Sequence, residues 1–145
     1  MPKVVLDTNI LVSAFITPRG TPAKLLRAWR DGQFDLVTSP PLFVELQETL
    51  HRQKILTRYH LTQEDIHNFL TLLASGTVCV PGTTTLSAPI QDQDDLMVLA
   101  TAIESQAAYL VTGDKELLHL EQFRSIQIVT PSILLKALHS NKLKV

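Results

Sequence analysis

Three consecutive apolar residues, Val4, Val5 and Leu6, run directly into a carboxylate at Asp7, followed by Thr8, Asn9 and a second apolar run, Ile10-Leu11-Val12. An apolar, mostly β-branched run without alternation reads as a strand buried on both faces, as in a parallel sheet covered by helices. Read so, the strand stops at Asp7 and sets an acid at the carboxyl edge of a central strand. That edge is where open α/β sheets bind ligands.

The rest of the chain supplies the partners such a strand requires. Thr21-Pro22 is a helix start, a hydroxyl at the N-cap and proline at the first helical position, and Leu25, Leu26 and Trp29 give that helix one apolar side before Gly32 ends it. A second strand is expected from Phe34 to Val37. Ser39-Pro40 repeats the start signal, with Leu42, Phe43, Leu46 and Leu50 marking a buried face through about Arg52 and Glu45 on its border. Thr62 and Asp65 form a capping-box variant ahead of Ile66, Phe69, Leu70 and Leu73. Val78-Cys79-Val80 reads as a third strand, with Cys79 as a small core residue, and Pro81 to Pro89 as a loop rich in turn formers. Leu96 to Ile103 is apolar on nearly all sides and predicts a buried helix. A fourth strand, Tyr109 to Val111, ends at Thr112-Gly113-Asp114, a short helix follows, and Ile126 to Val129 is a fifth strand before a last helix from Thr130-Pro131. The tail from Ser140 to Val145 is expected to be mobile. Alternating strands and helices imply a parallel sheet covered on both faces in one domain over residues 1–145.

Charge and composition narrow the function classes. No apolar run approaches the length of a membrane span, and Asp7 and Asn9 interrupt the pattern of a secretory signal, so the expected compartment is the cytoplasm, without membrane association. Cys79 is alone, which leaves no internal disulfide and no cysteine-based zinc site. The five histidines lack metal-ligand spacing, and no Gly-rich phosphate loop, nucleophile elbow or Cys-x-x-Cys occurs. The net charge of −1 hides a split: without Asp7, Glu45, Asp92, Asp95 and Asp114, 13 basic residues face 9 acidic ones. A mildly positive surface around an acidic pocket is consistent with a polyanionic partner.

Those five acids follow one rule. Each falls at the carboxyl end of a strand or in the first turns of a following helix, and in a parallel sheet all such places lie on one rim. Clustered carboxylates raise one another's pKa values and are costly unless a cation joins them. An oxygen-only ligand set favours a hard ion, Mg2+ or Mn2+, over zinc. Each acid also has a local reading: Asp92 as an N-cap with Asp95 in its first turn, Glu45 as a solvated helix residue, Asp114 as part of a turn. Asp7 has no structural task that Asn or Ser would not perform as well.

Val5-Leu6-Asp7-Thr8-Asn9-Ile10-Leu11-Val12-Ser13-Ala14, Glu45-Leu46, Asp92-x-x-Asp95 with Leu99-Ala100, and Leu110-Val111-Thr112-Gly113-Asp114-Lys115-x-Leu117-Leu118 together resemble the PIN domain. Within it they resemble the VapC-like ribonuclease toxins of toxin-antitoxin systems. The likeness covers nearly the whole chain. It departs at Gln93, where the family often has proline, and at Leu96 and Met97, near which it has a polar residue; of Asp92, Asp94 and Asp95 the alignment with Leu99-Ala100 favours Asp95 as ligand. The resemblance implies a three-layer α/β/α sandwich on a five-stranded parallel sheet of order 3-2-1-4-5. It further implies an acidic quartet of Asp7, Glu45, Asp95 and Asp114 with Asp92 as accessory, one or two Mg2+ or Mn2+ ions, and hydrolysis of RNA to leave a 5′-phosphate. A small antitoxin as partner and a homodimer are implied as well. Thr8, Asn9 and Thr112 are candidates for hydrogen bonds that fix the carboxylates or contact a phosphate, or for plain turn formers.

Three other readings compete for the same residues. A receiver-type domain expects an acid pair after the first strand and a lysine after the last, and a haloacid-type phosphatase expects an acid where Asn9 stands; neither pattern is present. A catalytically weak PIN-like scaffold that binds RNA or a protein without cutting it stays open, because a complete acid set is necessary for cleavage and does not prove it.

Overall fold

The computed structural model describes residues 1–143, with side chains through Ser140. In chain order the elements are β1 (Lys3–Leu6), α1 (Thr8–Ile16), α2 (Thr21–Arg30), β2 (Asp35–Thr38), α3 (Pro40–Leu50), α4 (Gln53–Tyr59), α5 (Gln63–Gly76) and β3 (Val78–Cys79). They continue with α6 (Gln93–Ser105), β4 (Tyr109–Val111), α7 (Lys115–Leu120), β5 (Gln122–Phe123), β6 (Ile126–Val129) and α8 (Pro131–Leu143). The strands form one sheet of order β3-β2-β1-β4-β6-β5, in which β1 pairs in parallel with both β2 and β4.

Alternation along each strand divides the core between the two faces. Val4, Leu6 and Leu36 pack with Leu25, Leu46, Leu70 and Leu134 on one side. Val5, Val37 and Leu110 pack with Val98, Leu99 and Leu117 on the other. The result is the expected three-layer α/β/α sandwich. Val4, Val5, Leu99 and Leu110 are fully buried, and about 25 cal/mol per Å2 of apolar surface removed from water makes this double core the main stabilising contribution.

The sheet departs from expectation in having six strands, because Gln122–Phe123 pairs antiparallel with β6. The hairpin turns at Arg124, and Glu121 ends α7 just before it; both have positive φ without glycine, so neither residue carries a turn signal. The five parallel strands alone keep the order 3-2-1-4-5 expected for them. Other differences are local. α1 starts directly after β1 and uses the second apolar run, whose β-branched residues suit a strand as well as a helix. α4, between Arg52 and Thr62, was not anticipated. Gly20, not Thr21, precedes α2, and α8 continues past Ser140 to Leu143, while residues 144–145 of the tail expected to be mobile lie outside the described residues. Cys79 is exposed on the edge strand β3, not buried in the core.

Ser39 does not cap α3 with its side chain; its hydroxyl hydrogen-bonds the buried Thr101 hydroxyl at 2.8 Å. Gly82 (φ +71°) lies against that pair, where an added Cβ would be 2.7 Å from Ser39 Cβ and Oγ. Gly82→Ala therefore meets both an unfavourable backbone conformation and a steric clash, and is expected to destabilise by about 2 kcal/mol or more. The midpoint of urea unfolding measures this; an unchanged midpoint would contradict the packing described.

Candidate active site

β1 continues toward the rim by one rung beyond its last residue: the Asp7 N–H donates to Val111 O at 2.9 Å. The winding of the sheet reverses between β1 and β4, and the crevice of an open α/β sheet forms at such a reversal. The acids at this rim are largely fixed by helix starts. Asp7 is the N-cap of α1, and its Oδ1 accepts from the Thr8 N–H at 2.7 Å. Asp92 caps α6, accepting from the N–H groups of Asp94 and Asp95 at 2.8 and 3.1 Å. Asp114 caps α7, accepting from Glu116 and Leu117 at 2.9 and 3.2 Å. The local and the functional readings of Asp92 and Asp114 are thus compatible, since capping occupies Oδ1 alone.

Thr112 links the two central strands. The Asp114 N–H donates to the Thr112 hydroxyl at 3.0 Å, and that hydroxyl donates to Asp7 Oδ2 at 2.8 Å. Thr112 is fully buried, so Asp7 is held through both oxygens by groups that cannot move away. Thr8 is also buried, beside Glu45, whose ionised form its hydroxyl favours. Neither Thr8 Oγ1 nor Glu45 Oε2 makes a hydrogen bond of ordinary geometry. Asn9 is exposed and shares a cleft with Ser13, Asp114 and Lys115.

The electrostatics record how these acids converge. Burial raises the Asp7 pKa above 3.8, the hydrogen bonds from Thr112 and Thr8 oppose this, and Asp114 and Asp92 add to it. Burial, then Asp94 and Asp7, raises Glu45. Asp95 is raised most, to about 7, by burial first and then by repulsion from Asp114, Asp92 and Asp7. Asp95 Oδ2 is buried without a partner. Among Asp92, Asp94 and Asp95 it is therefore Asp95 that enters the cluster, while Asp94 is exposed and acts on Glu45.

Among the described residues, no group of three or more His, Cys, Asp and Glu side chains is arranged to hold an ion as it stands. Asp7, Asp92 and Asp114 each use Oδ1 in capping, and clustered carboxylates repel one another where no cation joins them. Their chemistry nevertheless fits a hard divalent cation: the donors are all oxygen, and two buried carboxylate oxygens, on Glu45 and Asp95, have no partner.

One supporting residue carried no signal in the sequence. Glu104, on α6, accepts from the N–H groups of Gly82 and Thr84, each at 2.9 Å, and so fastens the loop after β3 beside the site. These bonds hold its carboxyl below the usual 4.5. Nothing in the run Ile103-Glu104-Ser105 distinguishes it from an exposed helical glutamate.

Comparison with known proteins shows the family and the fold. The sequence pattern of the PIN domain matches residues 3–116. An uncharacterized protein of Methanocaldococcus jannaschii is 34% identical over 118 residues, covering 81% of this chain and 74% of that protein. Among solved structures, the crystal structure of VapBC2 from Rickettsia felis bound to a DNA fragment from their promoter contains a chain similar in fold, with a TM-score of 0.59 and 18% identity, covering 87% of this chain and 96% of that one. Among the described residues, no helix is long and apolar enough to cross a membrane.

Proposed function

The chain belongs to the PIN domain family, whose members are generally nucleases using divalent metal ions, and from that premise we propose that it hydrolyses RNA phosphodiester bonds with Mg2+ or Mn2+ as the toxin of a toxin-antitoxin pair. The observation that carries this reading is the pair of buried, unpartnered carboxylate oxygens on Glu45 and Asp95, flanking an Asp7 that is held rigid at both of its own. Burying unpaired carboxylates costs several kcal/mol in general and is tolerated where a counter-charge completes the site.

Asp7, Asp95 and Asp114 would hold the ion, with Glu45 and Asp92 at its margin. When bound, the ion lowers the pKa of a water molecule and offsets charge on the phosphate and the leaving oxygen. Thr112 keeps Asp7 Oδ2 aimed through the hydrogen bond that also ties it to Asp114. Asp95 retains a proton up to about pH 7 without a cation, so it must release that proton to serve as a ligand. Glu45, with its pKa raised and Oε2 free, is suited to take a proton from water at that oxygen. Asn9 at the cleft mouth is a candidate contact for a phosphate oxygen.

The toxin assignment is supported by the fold shared with a chain of the VapBC2 structure. A small antitoxin that covers the rim, a homodimer and a cytoplasmic setting accompany it. A second reading, a scaffold that binds RNA or a protein without cutting, is favoured by the lack of a ready-made ligand set among the described residues.

One assay separates them: end-labelled RNA incubated with the wild-type protein and with Asp114→Asn, with and without Mn2+. Asn is as good an N-cap as Asp, so this variant should keep α7 while losing a ligand. The wild-type protein should cut only with Mn2+, leaving 5′-phosphates, and the variant should be slower by on the order of 100-fold. No cleavage by the wild-type protein favours the scaffold, and equal cleavage by both proteins overturns the proposed site.

A further inference from the structure

A cleft of about 770 Å3 opens beside the acidic rim, and Glu45 and Asp94 line it. Its other walls are of different character. Pro40, Pro41 and Val44 come from the start of α3, Pro81 from the loop after β3, and Met97 from α6. The volume is within the range of small-ligand sites, about 300–1,000 Å3, which are mostly apolar with a few polar groups. Val44 is 49% exposed, an unusual place for valine on a helix that already buries Leu42, Leu46 and Leu50.

The lining also follows a path. Glu45, Glu48 and Arg52 fall three and four residues apart, on one side of α3 and just past its end. α3 ends at Leu50, about 7.5 Å along from Glu45 at 1.5 Å per helical residue, and Arg52 follows two residues later on the same cleft. A strand whose phosphate lies at the acids would therefore carry its neighbouring base past the apolar walls and its next phosphate toward a guanidinium. The wall contributed by the loop is prepared in advance: Glu104 accepts from the Gly82 and Thr84 N–H groups, and Gly82 is pressed against Ser39 and Thr101.

We propose that this cleft is a base-binding subsite for the nucleotide adjoining the scissile phosphate, with Pro40, Val44, Pro81 and Met97 enclosing the base and Arg52 meeting the following phosphate. The proposal rests on the nuclease reading above and adds the part of the molecule that would read the substrate. Continuity with the acids favours a polynucleotide as occupant, because one residue, Glu45, belongs to both places.

The test uses the full chain in EDTA, so that no turnover intervenes, and fluorescence anisotropy of short single-stranded RNA beside an abasic ribose-phosphate strand of equal length. The wild-type protein should bind the strand with bases about tenfold or more tightly than the abasic one, since taking the apolar faces of a base out of water contributes of that order. Val44→Trp, which fills the cleft from an exposed position, should erase that difference. Arg52→Gln should weaken both strands alike and reduce the salt dependence of binding by about one phosphate contact; it serves as the second variant if Val44→Trp unfolds. Equal preference for bases in the wild-type protein and Val44→Trp, with the salt dependence of Arg52→Gln unchanged, overturns the subsite, and the cleft then belongs to a partner protein or to none. Cleavage by the wild-type protein with Mn2+ is scored separately. Cleavage without a base preference leaves the nuclease standing and removes the subsite, whereas a base preference lost in Val44→Trp without cleavage removes the nuclease and leaves a binding cleft.

Discussion

Replacing Asp7 by Asn is expected to slow RNA cleavage by on the order of 100- to 1,000-fold while making the protein more stable, not less. The two effects have one cause. Asp7 is 7% exposed, its pKa is raised by burial, and Asp114 and Asp92 repel its charge. An amide removes that charge at nearly constant shape: its oxygen can accept from Thr8, and its nitrogen can donate to the Thr112 hydroxyl, which turns to accept. A gain of about 1 kcal/mol is the usual size when a strained functional group is neutralised. For a chain of 145 residues that is a rise of a few degrees in Tm. Single-turnover cleavage and differential scanning calorimetry on the same preparation measure the pair. Asn preserves the cap, so a large loss of stability would contradict the charge repulsion assigned to Asp7.

The second large effect is on stability against pH and metal. Asp95 titrates near 7 in the folded chain against an ordinary 3.8. Between those values the unfolded chain has lost the proton that the folded chain keeps, so the folded state binds more protons and stability falls as pH rises, levelling off above about pH 7. Each pKa unit corresponds to about 1.4 kcal/mol, so the rise of Asp95 from 3.8 to about 7 accounts for on the order of 4 kcal/mol. Asp7 and Glu45, also raised, act in the same direction. Glu104, held below 4.5, acts with the opposite sign and only at the acidic end. Urea midpoints of the metal-free protein should therefore decline from about pH 5 to about pH 7. Mn2+ at about one hundred times its Kd should restore about 2.7 kcal/mol above pH 7 and less at pH 5, where Asp95 keeps its proton. Asp95→Asn should flatten the decline. A metal-free stability that rises through this window would contradict the burial and repulsion assigned to Asp95.

Much of this arrangement could be read from the chain itself. The run Val4 to Leu6 ending at Asp7 located the central strand and its rim, because a strand buried on both faces has few places to go. The rule that acids follow strands brought Asp7, Asp95 and Asp114 to one crevice, where each raises the Asp95 pKa or is raised itself. The features without a local signal depend on contacts made far along the chain. Cys79 looked buried between two valines, yet edge position decides exposure, and nothing local says which strand is outermost. The strand at Gln122–Phe123 is two residues long and turns on non-glycine residues. Glu104 earns its place only through loop amides some 20 residues away. Ser39 looked like a cap and instead holds Thr101 across the fold.

The proposed chemistry requires the carboxylates of three separate helix starts to close around one ion. Crystals grown above pH 7 and soaked in Mn2+ answer this directly through anomalous scattering. The predicted result is a peak bounded by Asp7, Asp95 and Asp114, with Glu45 or Asp92 at its edge. A well-ordered crystal with no peak there, or with Mn2+ only on the outer surface, would contradict it.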